Sequence, residues 1–368
     1  MTKKLILIQK CSRLWRLVLI FTLLFLLAIL QRPRYTGNRS QNLQQSNNFV
    51  TTTSLLNYTD MKTNRKTLSS AYSTSAEELI NVRVELESRK KLLENVCANI
   101  QDDTGSIEKA ISKMIINENH GISWCPIYKA ASSTWMKHFV TLAGLLSGTI
   151  MDLIRENSMQ MNSIVRQAYI TNTNSKTILK KMNKTKKFLI VRHPFERLLS
   201  AYRDKLEYME GREYYYERFG YHIRQSYRKD KRDDSWGKQE PTFEEFLQFV
   251  AEERQFDEHW MPYYNACRPC GINYEYILKF ETLQRDQNFF IQENGLANWL
   301  STVENVENTN PRGPTTSVIV KKYFKNIHKS VLENIYKIYE MDFKLFSYSP
   351  EKYYMISIGD IHKNESIS

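Results

Sequence analysis

An arginine and a serine, Arg192 and Ser200, stand where a short apolar stretch gives way to a helical pattern. Residues 188–191 are all apolar, which predicts a short buried strand. Pro194 cannot continue that strand, but its fixed φ suits the first turn of a helix. Arg192 is therefore predicted at the carboxyl end of the strand, where open α/β sheets bind ligands. A planar cationic donor and a hydroxyl in one crevice suit a phosphate.

The helix after Pro194 is predicted from apolar side chains at helical spacing. These side chains are Phe195, Leu198, Leu199 and Tyr202. Ser200 would lie farther along the same helix and could face the crevice together with Arg192. The alternative is an ordinary strand–helix unit in which Arg192 pairs with Glu196 or Asp204, and this stretch alone favours neither interpretation.

A second segment with the same chemistry follows an apolar strand that is predicted to end near Ile127. It precedes a predicted helix and comprises Lys129, Ala130, Ala131, Ser132, Ser133 and Thr134. Small residues let the backbone N–H groups at a helix N-terminus approach an anion, and the hydroxyls add donors. Lys129 supplies a mobile charge at the same position. A capped helix is the alternative interpretation, and it explains the hydroxyls better than it explains the lysine.

This second segment resembles a P-loop in the way it could bind an anion but not in its sequence pattern. The pattern GxxxxGK[ST] is missing because the segment has no glycine and its lysine precedes the hydroxyls. No clear acidic residue at a predicted strand end is placed to hold Mg²⁺, which disfavours hydrolysis of a nucleoside triphosphate. Two strand–loop–helix units with cationic and hydroxyl groups instead predict a ligand that carries phosphates at two ends.

The charge of the whole chain agrees with an anionic partner. The 368 residues carry a formal net charge of +12, which favours nucleic acid, a membrane surface or an acidic polysaccharide. The length fits one large domain or two ordinary ones.

The N-terminus predicts a membrane anchor. Residues 17–30 form an apolar run with one hydroxyl, and arginines stand on both sides of it. We predict a cytoplasmic tail at residues 1–16 and a signal-anchor transmembrane helix at residues 17–33, because the cations before the run place the N-terminus in the cytosol. The run is shorter than the roughly 20 residues of a typical span, which suits the thinner membranes of the early secretory pathway. A cleaved signal peptide is the rival interpretation, but no small-x-small cleavage site follows.

Residues 34–92 are predicted to form a lumenal stem. Most of this stretch is rich in Ser, Thr, Asn and Gln and poor in large apolar side chains. A helix is predicted from residue 75 to about residue 96, either as a short coiled coil or as the first docked helix of the next domain. A domain at residues 93–355 and a C-terminal tail at residues 356–368 complete the predicted organisation.

A lumenal position gives meaning to two further groups of residues. Four N-glycosylation sequons begin at Asn38, Asn57, Asn183 and Asn364. Four cysteines lie beyond the anchor, namely Cys97, Cys125, Cys267 and Cys270. In an oxidising compartment they predict two disulfides, and three connectivities are open. A zinc site at residues 267–270 is disfavoured because no second pair of ligands is evident, so no metal is predicted.

The two anion-binding segments resemble motifs of Golgi carbohydrate sulfotransferases. Residues 129–135 are similar to the 5′-phosphosulfate loop of these enzymes, and residues 192–200 are similar to their 3′-phosphate motif. Further signatures of the HNK-1 / chondroitin (dermatan) 4-O-sulfotransferase family follow in order at residues 243–246, 259–262, 267–270, 279–282, 336–343 and 345–348. The resemblance covers residues 97–348.

The resemblance implies a P-loop-like sulfotransferase fold of the α/β class, in which helices flank a central parallel sheet after the transmembrane helix and stem. It implies a carbohydrate O-sulfotransferase that uses 3′-phosphoadenosine 5′-phosphosulfate as co-substrate, with no permanently bound cofactor and no metal. The acceptor would be a glycosaminoglycan or a glycoprotein glycan, with O-4 of N-acetylgalactosamine in chondroitin or dermatan favoured. Residues 93–355 would be the catalytic domain of a single-pass type II Golgi membrane protein that binds no nucleic acid.

The resemblance also implies roles for individual residues. The residues that it implies for donor binding are Lys129, Ala130, Ala131, Ser132, Ser133, Thr134, Arg192 and Ser200. Lys129 is in addition predicted to be catalytic, because its charge can stabilise the leaving oxygen. Tyr128, Ser132 and His193 differ from the residues usual in this family, which leaves the acceptor sugar open.

His259 is the predicted general base, because an imidazole titrates near neutrality and can take the proton of a sugar hydroxyl. The other histidine candidates are His138, His193 and His222. Glu196 could serve as base instead. The alternative role for His259 is a hydrogen bond that only holds the loop at residues 267–270.

Interleaved cations and tyrosines at residues 212–232 also have two interpretations. One is a solvated helix or loop face. The other is the wall of a groove, in which cations bind sulfate and carboxylate groups and aromatic rings pack on sugar faces.

Two other functions compete with sulfuryl transfer. A lumenal kinase or a metal-dependent glycosyltransferase would need metal ligands, and the Asp-x-Asp site common in such glycosyltransferases is not found. A non-catalytic lumenal glycan-binding membrane protein on the same fold is the second alternative. It would bind the acceptor glycan but not adenosine 3′,5′-bisphosphate.

Overall fold

The computed structural model describes residues 60–100, 107–156, 158–169, 174–228, 237–300, 310 and 312–359, with only the backbone for residues 60–76 and 155. The predicted anchor at residues 17–33 lies outside these ranges, as do the cytoplasmic tail and the first part of the stem. Among the described residues, no helix combines the length and the apolar character that crossing a bilayer requires. The membrane topology therefore stays a prediction.

A four-stranded sheet carries the strand ends at which the site was predicted. Its strands are β1 Ile115–Asn117, β2 Ile122–Trp124, β3 Lys186–Val191 and β4 Tyr276–Lys279, in the spatial order β1-β2-β3-β4. β2, β3 and β4 are parallel, whereas β1 is antiparallel to β2. The predicted central parallel sheet is therefore confirmed for β2, β3 and β4, whereas the antiparallel β1 makes the sheet mixed. Residues 118–121 form a hairpin-length connection, whereas a parallel crossover needs a dozen residues or more.

Helices of very different lengths flank this sheet. They are α1 Asp60–Ala98, α2 Glu108–Ile111, α3 Ser132–Leu142, α4 Gly148–Arg155, α5 Met161–Tyr169, α6 Ser175–Met182, α7 Pro194–Lys205, α8 Glu213–Tyr215, α9 Tyr221–Tyr227, α10 Phe243–Glu253, α11 Tyr263–Cys267, α12 Leu283–Glu293, α13 Ser317–Phe324, α14 Lys329–Leu345 and α15 Glu351–Ile356. A π-helical turn, Tyr216–Gly220, joins α8 to α9, and a 3-10 turn, Phe280–Thr282, follows β4.

The strand–turn–helix unit at Arg192 forms as predicted. Residues 188–191 are fully buried in β3, and Pro194 is the first residue of α7. The four predicted apolar residues of α7 are all buried in a cluster that α10 and α14 complete. A second apolar cluster surrounds the sheet and includes α3 and α12. The short turn between β3 and α7, which carries Arg192, is thus flanked by two buried elements.

The helix α1 is docked on the domain along its C-terminal half. Val82, Leu86 and Leu93 are buried in the cluster around the sheet. Arg89 Nη1 donates to the carbonyl of Ile277 in β4 at 3.0 Å and to Asp286 Oδ2 in α12 at 2.5 Å. These contacts favour the docked helix over the coiled coil.

Two disulfides join distant parts of the chain, as predicted, and the structure selects one of the three connectivities. Cys97 pairs with Cys270, and Cys125 pairs with Cys267. Cys267 is the last residue of α11 and Cys270 follows three residues later, so the end of α1 and the chain just after β2 are both tied to the C-terminal end of α11. Asn183 is exposed beyond α6, whereas the other three sequons lie outside the described residues.

Candidate active site

A cavity of about 710 Å³ opens where β2, β3 and β4 end. Seven of the predicted site residues line it, namely Lys129, Ala131, Ser132, Ser133, Arg192, Ser200 and His259. Two others do not: Ala130 and Thr134 are buried beside the cavity wall. Phe280, the first residue after β4, also lines the cavity. The parallel part of the sheet therefore brings the two predicted anion-binding segments together.

The loop before α3 turns sharply although it contains no glycine. Lys129 and Ala131 have φ values of 69° and 58°, which place both in the left-handed region. Two arginines hold the carbonyls of the loop: Arg192 Nη1 donates to Lys129 O at 3.1 Å, and Arg197 Nε donates to Tyr128 O at 3.0 Å. Such backbone strain persists only where surrounding contacts over-determine it. Turns of this kind gather backbone N–H groups into anion-binding concavities.

Arg192 is buried at the end of β3, where only 4% of it is exposed. Its guanidinium carbon lies 4.3 Å above the ring of Phe280, and Glu196 Oε2 stands 4.0 Å from Nη2, at the limit of an ion pair. Its buried Nε has no hydrogen-bond partner among the described residues. Burial lowers the pKa of Arg192, and the carboxylates of Glu196 and Glu281 oppose that shift. An arginine of this kind is well suited to receive an anion from the cavity.

Ser200 lies two turns into α7 and is also buried at the cavity wall. The amide nitrogen of Asn310 approaches its hydroxyl at 3.5 Å. Asp204 follows four residues later on the same face of the helix and lines the cavity as well. The predicted alternative that Arg192 pairs with Asp204 is not seen, because Asp204 pairs with Lys129.

The ion pair between Lys129 and Asp204 is one of three that converge on a single carboxylate. Lys129 Nζ lies 2.9 Å from Asp204 Oδ2, Arg212 Nη2 lies 2.9 Å from Oδ1, and Lys205 Nζ lies 3.3 Å from Oδ2. Burial would raise the pKa of Asp204, but the three cations outweigh burial and hold that pKa well below its usual range. Burial lowers the pKa of Lys129, and Asp204 opposes this shift.

His259 faces the same cavity from the loop between α10 and α11. Its Nδ1 lies 2.5 Å from Asp257 Oδ1 and 3.3 Å from the hydroxyl of Tyr215, and its ring stands 4.7 Å from that of Tyr128. The carboxylate engages Nδ1 and so favours the tautomer in which Nε2 is the acceptor. Burial lowers the pKa of His259, against the opposing effect of Asp257. A neutral imidazole whose tautomer a carboxylate fixes can act as a general base.

The other proposed bases do not line this cavity. The ring of His138 packs against Trp135, and His222 pairs with Glu253 at 2.7 Å on the surface. His193 Nε2 is 3.0 Å from the carbonyl of Ser349, and burial lowers its pKa to about 4. Glu196 accepts a hydrogen bond from Tyr353 at 2.7 Å. Among the six histidines that the structure describes, the cavity is lined by His259 alone.

Buried contacts with distant elements hold the loop that carries His259. Arg197 Nη1 donates to Met261 O at 2.8 Å. Asp342 in α14 accepts the backbone N–H groups of Tyr263 and Tyr264 at 2.8 and 2.9 Å and thereby caps α11. Burial raises the pKa of Asp342 to about 6. The alternative role for His259, a hydrogen bond to the loop at residues 267–270, finds no support because its hydrogen bonds go to Asp257 and Tyr215.

Four functional residues were not assigned a role from the sequence. They are Arg197, Asp204, Arg212 and Asp257. Asp257 stands two residues before His259, and this spacing was the signal that could have found it. Asp204 appeared only as a possible partner of Arg192, and Arg212 appeared only as one of the interleaved cations at residues 212–232. Nothing local marks Arg197, because its partners are carbonyls more than 60 residues away.

One part of the stretch of cations and tyrosines lines the cavity, and another part contacts α10. Arg212, Tyr214 and Tyr215 line the cavity. Arg228 instead makes an ion pair of 2.8 Å with Glu245 of α10, and residues 229–236 lie outside the described ranges. The first part of the stretch therefore forms part of the cavity wall, and its contacts with sulfate groups and sugar rings stay a prediction. In the described ranges, no cluster of three or more His, Cys, Asp or Glu side chains could hold a metal ion.

Comparison with known proteins adds a family to this geometry. A model described as "Sulfotransferase family" matches residues 112–349. Carbohydrate sulfotransferase 10 of Xenopus laevis is 30% identical over 283 residues, which are 71% of this chain and 76% of that protein. Carbohydrate sulfotransferase 11 of Mus musculus is 26% identical over 302 residues, 79% of this chain and 84% of that protein. Carbohydrate sulfotransferase 8 of Mus musculus is 29% identical over 270 residues, and the match covers 72% of this chain but 63% of that protein. No solved structure gives a significant match.

Proposed function

The chain belongs to the sulfotransferase family, and we propose that it moves a sulfuryl group from 3′-phosphoadenosine 5′-phosphosulfate to a hydroxyl of a glycan. One observation carries the proposal: Lys129, Arg192 and His259 meet in a single cavity of about 710 Å³. Transfer to a hydroxyl needs an anion site, a cation at the leaving oxygen and a proton acceptor. The cavity contains all three.

The donor is held by groups on the sheet side of the cavity. Arg192 and Ser200 bind the 3′-phosphate, and the backbone of residues 131–133 at the start of α3 binds the 5′-phosphosulfate. The unpartnered Nε of buried Arg192 supports this assignment. In the reaction the acceptor oxygen bonds to sulfur, and the bond between sulfur and the bridging oxygen breaks. Lys129 stabilises the charge that grows on the departing phosphate.

The acceptor proton goes to Nε2 of His259. Burial lowers the pKa of His259 and so favours the neutral imidazole, which is the form that accepts a proton. Asp257 at 2.5 Å from Nδ1 orients the ring and stabilises the imidazolium that forms. This arrangement needs no metal ligand from the chain.

A glycosaminoglycan or glycoprotein glycan is the acceptor in this proposal, with O-4 of N-acetylgalactosamine in chondroitin or dermatan favoured. The names of the relatives support a carbohydrate. The net charge of +12 and the half-exposed Arg218, 3.9 Å from Asp257, support an acidic one. A smaller cavity of about 130 Å³ adjoins the main one and shares part of its wall, namely Tyr128, Met136, Asn162 and Glu258. The chain would act in the Golgi lumen, anchored by residues 17–33.

The test is transfer of labelled sulfate from the donor to a panel of desulfated glycans, followed by mapping of the labelled position. We expect label on one class of glycan, with and without EDTA. For the variant His259→Ala, the matched control in this assay is His222→Ala, since this exposed histidine pairs with Glu253 outside the cavity. If the chain binds a glycan but does not bind adenosine 3′,5′-bisphosphate and transfers no label, it is a glycan-binding protein and the proposal fails.

A further inference from the structure

Three of the cations that line the cavity surround one carboxylate, that of Asp204. Lys129 and Asp204 form their 2.9 Å ion pair with only 11% and 10% of the two side chains exposed. Lys205 and Arg212 complete the group, and all four residues line the cavity. A carboxylate in the middle of an anion site repels the anion. Its presence therefore requires a role that binding alone does not supply.

The backbone on both sides of this ion pair is fixed, whereas the lysine side chain can move. Lys129 O is held by Arg192 Nη1 at 3.1 Å, and Asp204 O accepts from Arg212 Nε at 2.7 Å. The ammonium of a lysine stands on a flexible four-carbon stem. It can therefore pass from Asp204 to an anion in the same cavity without a change in the backbone.

We propose that Asp204 is a positioning residue that holds Lys129 in the empty cavity and releases it to the sulfuryl donor, an inference that rests on the proposed function. Beside Arg192, Lys205 and Arg212, a buried lysine without a counter-ion would lose its proton or turn away from the site. Asp204 keeps the ammonium charged and inside the cavity. When the anionic donor enters, it takes over the ammonium, and Lys205 and Arg212 remain as partners of Asp204.

The proposal predicts two effects of opposite sign for Asp204→Asn. Removal of the charge relieves the repulsion of an incoming anion, so adenosine 3′,5′-bisphosphate should bind about fivefold more tightly. Lys129 is no longer held, so kcat for transfer should fall by about tenfold or more. A carboxylate that served only the fold would instead lower affinity and kcat together.

The reactivity of Lys129 gives a readout that needs neither donor nor turnover. Trinitrobenzenesulfonate modifies unprotonated amines, and peptide mapping reports the rate at Lys129. In the ligand-free full chain, Asp204→Asn should raise this rate about tenfold, because a buried lysine without its counter-ion loses its proton more readily. Asp204→Glu should restore most of the wild-type rate, and adenosine 3′,5′-bisphosphate should protect Lys129 in the wild type.

Glu118→Gln is the matched control, because Glu118 forms a 2.8 Å ion pair with Lys181 on the surface, outside the cavity. Thermal unfolding checks that each variant folds, and Asp204→Ala replaces the Asn variant if that one does not. Tighter binding of the bisphosphate, lower kcat and faster labelling support the proposal. It is overturned if Asp204→Asn behaves like Glu118→Gln, or if affinity and kcat fall together. A wild-type chain that neither binds the bisphosphate nor transfers label overturns the proposed function instead, while the labelling rates still test the ion pair.

Discussion

The two sides of the cavity are positioned in different ways. On the donor side, Lys129 and Arg192 follow β2 and β3, and the parallel pairing of these strands brings both residues to one edge of the sheet. On the base side, His259 stands between α10 and α11, where no strand positions it. Its loop is held by Arg197 and Asp342, which come from other parts of the chain. Local pattern and sheet topology thus place the donor side, whereas tertiary packing places the base side.

One buried side chain connects the two sides. Arg197 donates to Tyr128 O beside the donor loop and to Met261 O beside the base, at 3.0 and 2.8 Å. It therefore fixes the separation of the two loops, although it does not line the cavity. Variants on one side should change one part of the reaction and leave the other part intact, and the following expectations test that separation.

The largest effect is expected on the base side, for His259→Ala. Loss of the proton acceptor should lower kcat at least about a hundredfold. The affinity for adenosine 3′,5′-bisphosphate should stay at the wild-type value, because the donor groups lie across the cavity. Steady-state kinetics and calorimetry measure the two quantities, with His222→Ala as control. A folded variant that turns over near the wild-type rate would move the role of base to another residue.

Lys129→Ala should separate chemistry from binding on the donor side itself. Its charge matters most when negative charge grows on the bridging oxygen, so kcat should fall about a hundredfold, a larger effect than the rise in the KM for donor. Lys181→Ala removes a surface lysine and serves as control. If kcat is retained and only KM rises, Lys129 binds the donor and does nothing more.

Arg192→Ala should weaken donor binding and spare the base. A charge-assisted phosphate contact contributes about 1.5–3 kcal/mol, which corresponds to a loss of about tenfold to a hundredfold in affinity for adenosine 3′,5′-bisphosphate. Ser200→Ala, which removes a neutral donor, should cost less. Calorimetry measures both, and Arg83→Ala at the exposed pair with Glu293 is the control. Wild-type affinity in a folded Arg192→Ala chain would refute the assignment.

The smallest effect is expected for Asp257→Asn and concerns pH. The base works only when neutral, so kcat falls as pH drops through the pKa of His259, which burial holds below its ordinary value. Asp257 opposes that shift, and its neutral amide would lower the pKa of His259 further. The acid limb of kcat should therefore move to lower pH, while the plateau falls about tenfold because the imidazolium loses its counter-ion. An acid limb in the wild-type position would show that His259 does not control the profile.

The contrast between the two sides also explains what could be predicted from sequence. The strand at residues 188–191, Pro194 as first residue of α7 and the placement of Arg192 all follow from apolar runs and proline geometry. The antiparallel β1 was missed because its apolar residues carry no sign of strand direction. Ala130 was assigned to the site but is buried behind it. The positive φ values of Lys129 and Ala131 turn the loop, and the residue types at these positions do not predict such values.

On the base side, sequence reasoning reached His259 but not its partners. The resemblance to a family signature selected the histidine, and the structure shows why the other described histidines are poor alternatives. Arg197 and Asp342 could not be found in this way, because each acts on backbone groups that are distant in sequence. Such contacts exist only once the two apolar clusters have packed.

The docking of α1 has a practical consequence for anyone who shortens this chain. Asp286 is fully buried and pairs with Arg89 of α1 at 2.5 Å and with the neighbouring Arg285 at 3.0 Å. A version that lacks residues 1–98 would lose the closer of these two counter-ions, which destabilises the buried carboxylate, and would leave Cys270 with an unpaired thiol. Trimming before Leu79 keeps both contacts. The last part of the predicted stem, from Leu79 onward, therefore belongs to the smallest version of the domain that should fold well.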